Sequence, residues 1–303
     1  MSDAAADRRA LQAGWLLVLL WGAAFSIQKS AYAAMGPATF LFLRSLLMAG
    51  CALVLLRWRG SPLWPPLARR EWGALLACTA VGPVMHIVLV TYGIHWSTPF
   101  SSALISACGP VCTLLLLRLL RGARLARHQA LGVAVAFAGV LLVMGDKLGG
   151  AHWQAGGGDL TMLLATVLFS LYTIWVTPLV LRHGGPEVMC WSTLLAAPVM
   201  LALGAWPASQ AAYAQFSGLA WLAFLWTVLV SAFLGWMLWT WVNAVRGVAR
   251  TAPLLYGVPP IAGLVAWLTF GEDFAGPKLA GAALALAGVA WSQQNAARSD
   301  KDP

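Results

Sequence analysis

Residues 109–143 and 258–292 align without a gap, and eleven of the paired positions are identical. Pro110 falls on Pro259, Gly122 on Gly271, Gly132 on Gly281, and Ala138-Gly139-Val140 on Ala287-Gly288-Val289. Further upstream, Phe25-Ser26 falls on Phe169-Ser170, Gly36-Pro37 on Gly185-Pro186, and Trp72 on Trp221. A chain that repeats itself over half its length folds as two related units, so any fold assigned to it must be divisible in two.

The units are apolar. Of 303 residues, 60% are hydrophobic and 10% charged, beyond what the surface of a soluble domain tolerates. A helix needs roughly 20 apolar residues to cross about 30 Å of hydrocarbon. Ten segments qualify, near 12–34, 38–57, 72–93, 98–119, 128–145, 159–181, 187–206, 218–243, 248–270 and 277–296. The breakers Ser61-Pro62, Pro65-Pro66, Gly156-Gly157-Gly158 and Gly184-Gly185-Pro186 fall between them. Without the period-2 alternation of barrel strands, these segments are expected to be helices. The expected fold is an all-α polytopic membrane protein of ten transmembrane helices, as two five-helix repeats at 1–147 and 148–303.

Charge orients the helices. With the N-terminus in the cytoplasm, the inner segments hold Arg8, Arg9, Arg57, Arg59, Arg69, Arg70, Arg118, Arg121, Arg124, Arg127, Arg182, Arg246, Arg250, Arg298 and Lys301. The outer loops hold Lys147 and Lys278. Fifteen against two predicts both termini inside, and the net charge of +9 follows from it. Basic loops beside a bilayer meet lipid phosphate, and no aromatic-interleaved basic domain points to nucleic acid. An odd number of helices per repeat turns the second copy over. The hinge Arg121-Gly122-Ala123-Arg124 and its partner Phe270-Gly271-Glu272-Asp273 then face opposite sides with opposite charge. Inverted repeats are the architecture of secondary transporters, because a pseudo-twofold axis in the membrane plane lets one site open to either side.

Arg8-Arg9 before an apolar run, with Ala31-Tyr32-Ala33 beyond it, also fits a signal peptide. Losing the first span would break a five-plus-five unit, so it is expected to be retained. Cys51, Cys78, Cys108, Cys112 and Cys190 all fall inside spans. Cys108 and Cys112 lie one turn apart but have no His or carboxylate neighbours, so they are expected to pack rather than bind metal.

Trp21-Gly22-Ala23-Ala24-Phe25 with Lys29, Phe42-Leu43-Arg44, and Pro110, Gly122 and Gly132 through Gly139-Val140 with their repeat at 259–289 resemble the drug/metabolite transporter superfamily in its EamA-type ten-helix branch. The resemblance covers nearly the whole chain. The family often carries Gly-Glu at both hinges, whereas here the pair is Gly271-Glu272 and the first copy reads Gly122-Ala123. The resemblance implies a permease or exporter of the cytoplasmic (inner) membrane. Its central cavity is lined by spans one to four and six to nine. It implies no cofactor, and members carry amino acids, amines, nucleotide derivatives, sugars or lipids.

Helical spacing gives an independent view of that cavity, since residues at i, i+4, i+7 and i+11 share a face. Span one presents Trp21, Phe25, Gln28 and Tyr32; span three Thr79, Gly82, His86 and Gly93; span four Ser102, Ser106, Gly109 and Thr113. Span six presents Thr166, Ser170, Thr173 and Thr177, and span eight Thr227, Ser231, Gly235 and Trp239. Small polar stripes also serve plain helix–helix packing, so each stripe has two readings. The repeat pairs Gly82, His86 and Val90 with Ser231, Gly235 and Trp239, which makes stripes three and eight symmetry mates. In span six the mates of Phe25 and Gln28 are Phe169 and Tyr172, off the Ser/Thr stripe, and its inward face stays open.

Trp21, Gln28, His86, Ser102, Ser231 and Trp239 are expected to converge on one water-accessible volume near mid-depth. Ser106, Tyr172 and Tyr256 complete the candidate substrate-binding set. The ionisable residues within spans are Lys29, Arg44 and His86, candidates for anion binding or ion coupling. The alternative for Lys29 and Arg44 is bonding of helix ends or snorkelling. His86 titrates near neutral pH, with an unperturbed pKa of about 6.5, and is the interior candidate for proton coupling. Trp58, Trp64 and Trp72, and Trp96, Trp153, Trp206 and Trp221, read as anchors at the two interfaces. The deeper Trp21, Trp175, Trp236 and Trp239 could stack a substrate or fill gaps. Pro110, Pro259 and Pro260 interrupt spans four and nine as gating kinks or static bends. No carboxylate pair, metal cluster or Ser-His-Asp set stands in the spans, which argues against an enzyme. The expected function is alternating-access transport, outward, of a small amphipathic metabolite such as an amino acid or amine, by a monomer or homodimer. A lipid or lipid-linked-headgroup translocase and a non-transporting scaffold are the alternatives.

Overall fold

A computed structural model describes residues 3–122, 126–144, 153–246, 251–273 and 276–293. Arg124, Asp146, Lys147, Arg250, Arg298 and Lys301, and the boundary between residues 147 and 148, lie outside them. The described residues are helical throughout, joined by short turns, with no strand among them.

In chain order the helices are α1 (Asp3–Met35), α2 (Pro37–Trp58), α3 (Arg69–Trp96), α4 (Pro99–Ala107 continuing as Gly109–Arg121), α5 (Arg127–Met144), α6 (Trp153–His183), α7 (Gly185–Gln210), α8 (Gly218–Arg246), α9 (Val258–Phe270) and α10 (Gly276–Gln293). Seven of them are long and apolar enough to cross a membrane, and α4 makes an eighth if its two halves, bent by 41°, count as one span. The ninth apolar segment is shorter than the sequence suggested, at Leu254–Phe270. Pro259 and Pro260 explain part of this: they sit at the start of α9, where a missing N–H goes unnoticed, after a 3₁₀ stretch at Ala252–Gly257. Pro110 likewise opens the second half of α4. The breaks at Cys108 and Gly257 therefore occupy matching places in the two repeats.

The repeat is visible in backbone detail. Gly122 and Gly271 end α4 and α9 in the left-handed conformation, with φ of 64° and 61°, which a Cβ would strain. Helices α3 and α8 both widen into π-helical turns, at Ala80–His86 and Trp226–Leu234, segments that overlap when the repeats are superposed in sequence. Helices α5 and α10 run antiparallel in backbone contact. A Cβ on Gly139 would fall 2.3 Å from the Ala285 nitrogen and one on Gly288 2.3 Å from the Ala136 nitrogen. Gly132 meets Gly288, and Gly139 meets Gly281. Each glycine thus faces the repeat mate of the other, which is what a twofold relation with inverted direction produces. One pairing shifts by a residue: Gly36 has φ 76°, but in the second repeat the positive φ, 90°, belongs to Gly184 rather than Gly185. The additional glycine before Pro186 lets the turn close one position earlier.

Polar contacts gather at the two ends of the bundle. At the arginine-rich end, Arg59 of α2 meets Glu187 of α7 at 2.8 Å, Arg182 of α6 meets Glu71 of α3 at 2.7 Å, and Arg246 of α8 meets Asp7 of α1 at 3.0 Å. At the opposite end the Lys29 ammonium of α1 reaches the last carbonyls of α3, Ile94 at 3.4 Å, His95 at 3.2 Å and Ser97, and the Ser97 hydroxyl donates to the buried Asp159. There too, Lys278 pairs with Glu272 at 2.5 Å, and Glu272 accepts from the Phe100 amide. Between the ends, Phe40, Leu104, Ile105, Val111, Val140 and Met162 are fully buried and form the main apolar cluster.

Candidate functional site

A cavity of about 190 Å³ lies between the two halves. Helix α2 contributes Arg44, Ser45 and Met48, α3 contributes Gly82, Pro83, His86 and Ile87, and α6 contributes Phe169 and Tyr172. Helix α7 adds Met189, Thr193, Ala196, Ala197 and Met200, and α8 adds Ala232 and Trp236. This is small for a ligand site, below the roughly 300–1,000 Å³ usual for drug-sized molecules.

The local structure explains why the cavity exists. Gly82 lets the Tyr172 ring lie against the backbone of α3, where a Cβ would come within 2.4 Å of it. Pro83, inside the π-helical turn, offers no N–H to the turn before it. Such widened turns are frequent at functional sites because they displace side chains from regular helical positions.

Arg44 is the one charge on the cavity wall that does not depend on pH. It is half-buried, and no hydrogen bond or ion pair engages its guanidinium among the described residues. Among the described residues no Asp or Glu lines the cavity. The Tyr172 and Thr193 hydroxyls are likewise unengaged, whereas Ser45 donates to the Leu41 carbonyl at 2.7 Å. His86 holds the Ala165 carbonyl oxygen at 2.9 Å through Nδ1. A carbonyl can only accept, so Nδ1 carries the hydrogen and Nε2 is the nitrogen left to titrate. The His86 and Phe169 rings lie 5.0 Å apart. Methionines 48, 189 and 200 give the remainder of the wall a deformable apolar surface.

Of the six residues expected to share one volume, His86 alone lines this cavity. Trp21, Ser231 and Trp239 meet elsewhere, at the α1–α8 crossing. Trp21 donates from Nε1 to the Ser231 carbonyl at 3.0 Å, packs at 5.7 Å against Trp239 with the rings tilted by 49°, and lies against Gly235. The two places are related by the repeat. At the α3–α6 crossing a large side chain on α3, His86, reaches a carbonyl on α6; at the α8–α1 crossing the large side chain, Trp21, comes from the other helix and fills the space left by Gly235. Gln28 accepts from Tyr32 at 3.0 Å within α1. Ser102 is fully buried on α4, Ser106 is half-buried one turn on, and Tyr256 packs against the main apolar cluster. Lys29 binds the end of α3 rather than the cavity. Helix α6 turns Phe169 and Tyr172 to the cavity, while Ser170 bonds the Gly109 carbonyl of α4 and Thr173 and Thr177 stand exposed. Trp236, one of the deeper tryptophans that could stack a substrate, lines the cavity; Met48, Met189, Thr193 and Met200 were missed, and the symmetry mates Phe169 and Tyr172 were the signal that could have chosen the face of α6.

Comparison with known proteins agrees with this architecture. The profile of the EamA-like transporter family matches residues 9–145 and again 156–292. A protein of Streptantibioticus cattleyicolor named "Probable terminal-alkyne amino-acid exporter" is 29% identical over 282 residues, 92% of each chain. "Uncharacterized transporter YyaM" of Bacillus subtilis is 22% identical over 271 residues, 88% of each chain. "Probable amino-acid metabolite efflux pump" of Salmonella typhimurium is 30% identical over 176 residues, 55% of this chain and 58% of that one. A solved structure described as "Crystal structure of protein" matches in fold with a TM-score of 0.60 at 19% identity, covering 97% of this chain and 99% of the other. Carrying that profile twice, over nearly its whole length, the chain is a multi-pass membrane protein that belongs to the EamA-like transporter family.

Proposed function

We propose that this chain exports a small amphipathic carboxylate, of the size and character of an amino acid, by alternating access between two inverted repeats of five spans each. The observation that carries the reading is the unpaired Arg44 guanidinium on a cavity with no carboxylate. A charge held inside a membrane without a partner is expensive, and function is the common reason to keep it. A substrate carboxylate would supply the missing partner through two parallel hydrogen bonds. In this reading the Tyr172 and Thr193 oxygens, on the same cavity wall, accept from an amine on the same molecule, and the methionines with Phe169 and Trp236 cover its side chain. An amine without a carboxylate would meet a cation and no counter-ion, so the anionic end is the recognised one. The relatives named as amino-acid or amino-acid-metabolite exporters agree with this substrate class.

In this reading the protein sits in the inner membrane with both termini and the arginine-rich end in the cytoplasm. Proton coupling, where it operates, runs through Nε2 of His86. Counterflow in liposomes tests the proposal. Preloaded amino acid should drive saturable uptake of labelled amino acid, and Arg44→Gln should weaken it. Headgroup flipping without soluble uptake would favour a lipid translocase instead, and neither activity would favour a scaffold.

A further inference from the structure

An apolar groove of about 810 Å³ opens on the outside of the bundle between α2 and α8. It shares its two walls with the central cavity. On α2, Leu43 and Leu47 face the groove while Arg44 and Met48 face the cavity; on α8, Phe233 and Met237 face the groove while Ala232 and Trp236 face the cavity. The two helices touch where Phe40 and Phe224 pack edge to face at 5.3 Å, and the groove lies between them from Leu43 to Trp58 on α2. The repeat makes this gap informative. The equivalent crossing in the other half, α7 against α3, is filled: Ala196 and Met200 are buried against Val84, Ile87 and Val88, and Leu75 and Cys78 share a cluster with Val188 and Trp191. Two helix pairs related by the repeat thus differ, one closed and one held apart.

We infer that a phospholipid from the leaflet at the Arg57 end places one acyl chain in this groove, with its phosphate on Arg57, and that the chain holds α2 and α8 apart. From Leu43 to Trp58 the groove runs about 22 Å along α2, longer than the roughly 15 Å of hydrocarbon in one leaflet, so an acyl chain fits lengthwise. An unfilled apolar gap forfeits contacts on both walls, and water gains nothing there. Arg57 is exposed and makes no ion pair among the described residues. It lies three residues after Val54 and seven after Gly50, on the groove face of α2. Its neighbour Arg59 is already committed to Glu187.

The test is photolabelling of the full-length protein in vesicles holding a phospholipid with a diazirine in its acyl chain, followed by mapping of adducts. Gly50 has open space where a Cβ would be, so Gly50→Phe fills the groove without a clash, and Val54→Trp does the same from the exposed rim. Adducts should concentrate on 46–58 and 225–237, fall to the level of other exposed faces in either variant, and fall with Arg57→Gln. Labelling spread evenly over exposed apolar faces such as Leu264 and Leu268 would overturn the inference, as would groove labelling indifferent to all three variants. The result is separate from the transport proposal, which these labels do not touch.

Discussion

Replacing Arg44 with glutamine gives a prediction with two signs. In the proposed occupied state the guanidinium would face a substrate carboxylate across a cavity that no Asp or Glu lines among the described residues. Two unit charges about 4 Å apart interact by about 4 kcal/mol at an effective dielectric of about 20. Removing one partner of a charged hydrogen bond costs about 1.5–3 kcal/mol in practice. A loss of about 2–3 kcal/mol corresponds to a roughly 30- to 150-fold rise in half-saturation concentration. Arg44→Lys keeps the charge but not the two-pronged geometry, and should fall between, at about tenfold. Without substrate the sign reverses. A lone guanidinium within a span costs about 2.5–3.5 kcal/mol on the insertion scale, and the partial burial of Arg44 leaves part of that to be recovered. Arg44→Gln should therefore raise the unliganded unfolding midpoint while weakening transport. Counterflow titrations in liposomes and thermal unfolding in detergent read the two effects. A half-saturation within about twofold of wild type, or a lowered midpoint, would refute the reasoning, because an arginine that merely ties helix ends stabilises the empty protein.

Reporter fusions at the C-terminus and at Gly157 should land on opposite sides of the membrane, and same-side signals would break the ten-span, both-termini-inside arrangement. His86→Gln should leave the protein folded and inserted, abolish any pH dependence of transport and spare pH-independent exchange; full proton-driven accumulation in that variant would make His86 structural. Gly139→Ala forces a Cβ to within 2.3 Å of the Ala285 backbone nitrogen, so it should cost about 1–3 kcal/mol and lower the unfolding midpoint. Gly157→Ala, with open space around it, is the matched control and should be close to neutral. Equal effects from the two would contradict the α5–α10 contact.

Much of the helical frame was legible because it rests on short-range rules. The hinge glycines at 122 and 271 sit at helix ends with matching positive φ, and Pro110, Pro259 and Pro260 open the helix halves that follow their breaks. Gly139 and Gly288 stood out in the sequence as repeat mates, and it took the structure to show that each lies against the backbone of the other's helix. The candidate site was legible in part. Arg44 and His86 were singled out as ionisable residues within spans, and both line the cavity. Bonding of a helix end was one of the two sequence readings of Lys29, and the structure has its ammonium on the last carbonyls of α3; which helix end it meets was not legible.

The sequence by itself determined that this chain is helical, membrane-bound and built twice, because apolar run length, breaker placement and internal repetition are properties of the chain alone. Only the tertiary structure decided which faces meet. Two physical reasons stand behind that. A Ser or Thr on a helix can satisfy its hydroxyl on its own i−4 carbonyl, as Thr166, Thr173 and Thr177 do, so a polar stripe need not point at water or at a partner. And a wheel drawn at 100° per residue fails beyond a π-helical turn, whose bonds span five residues rather than four. In α8 that turn ends at Leu234, and just past it Trp236 lines the cavity while Trp239 lies against Trp21.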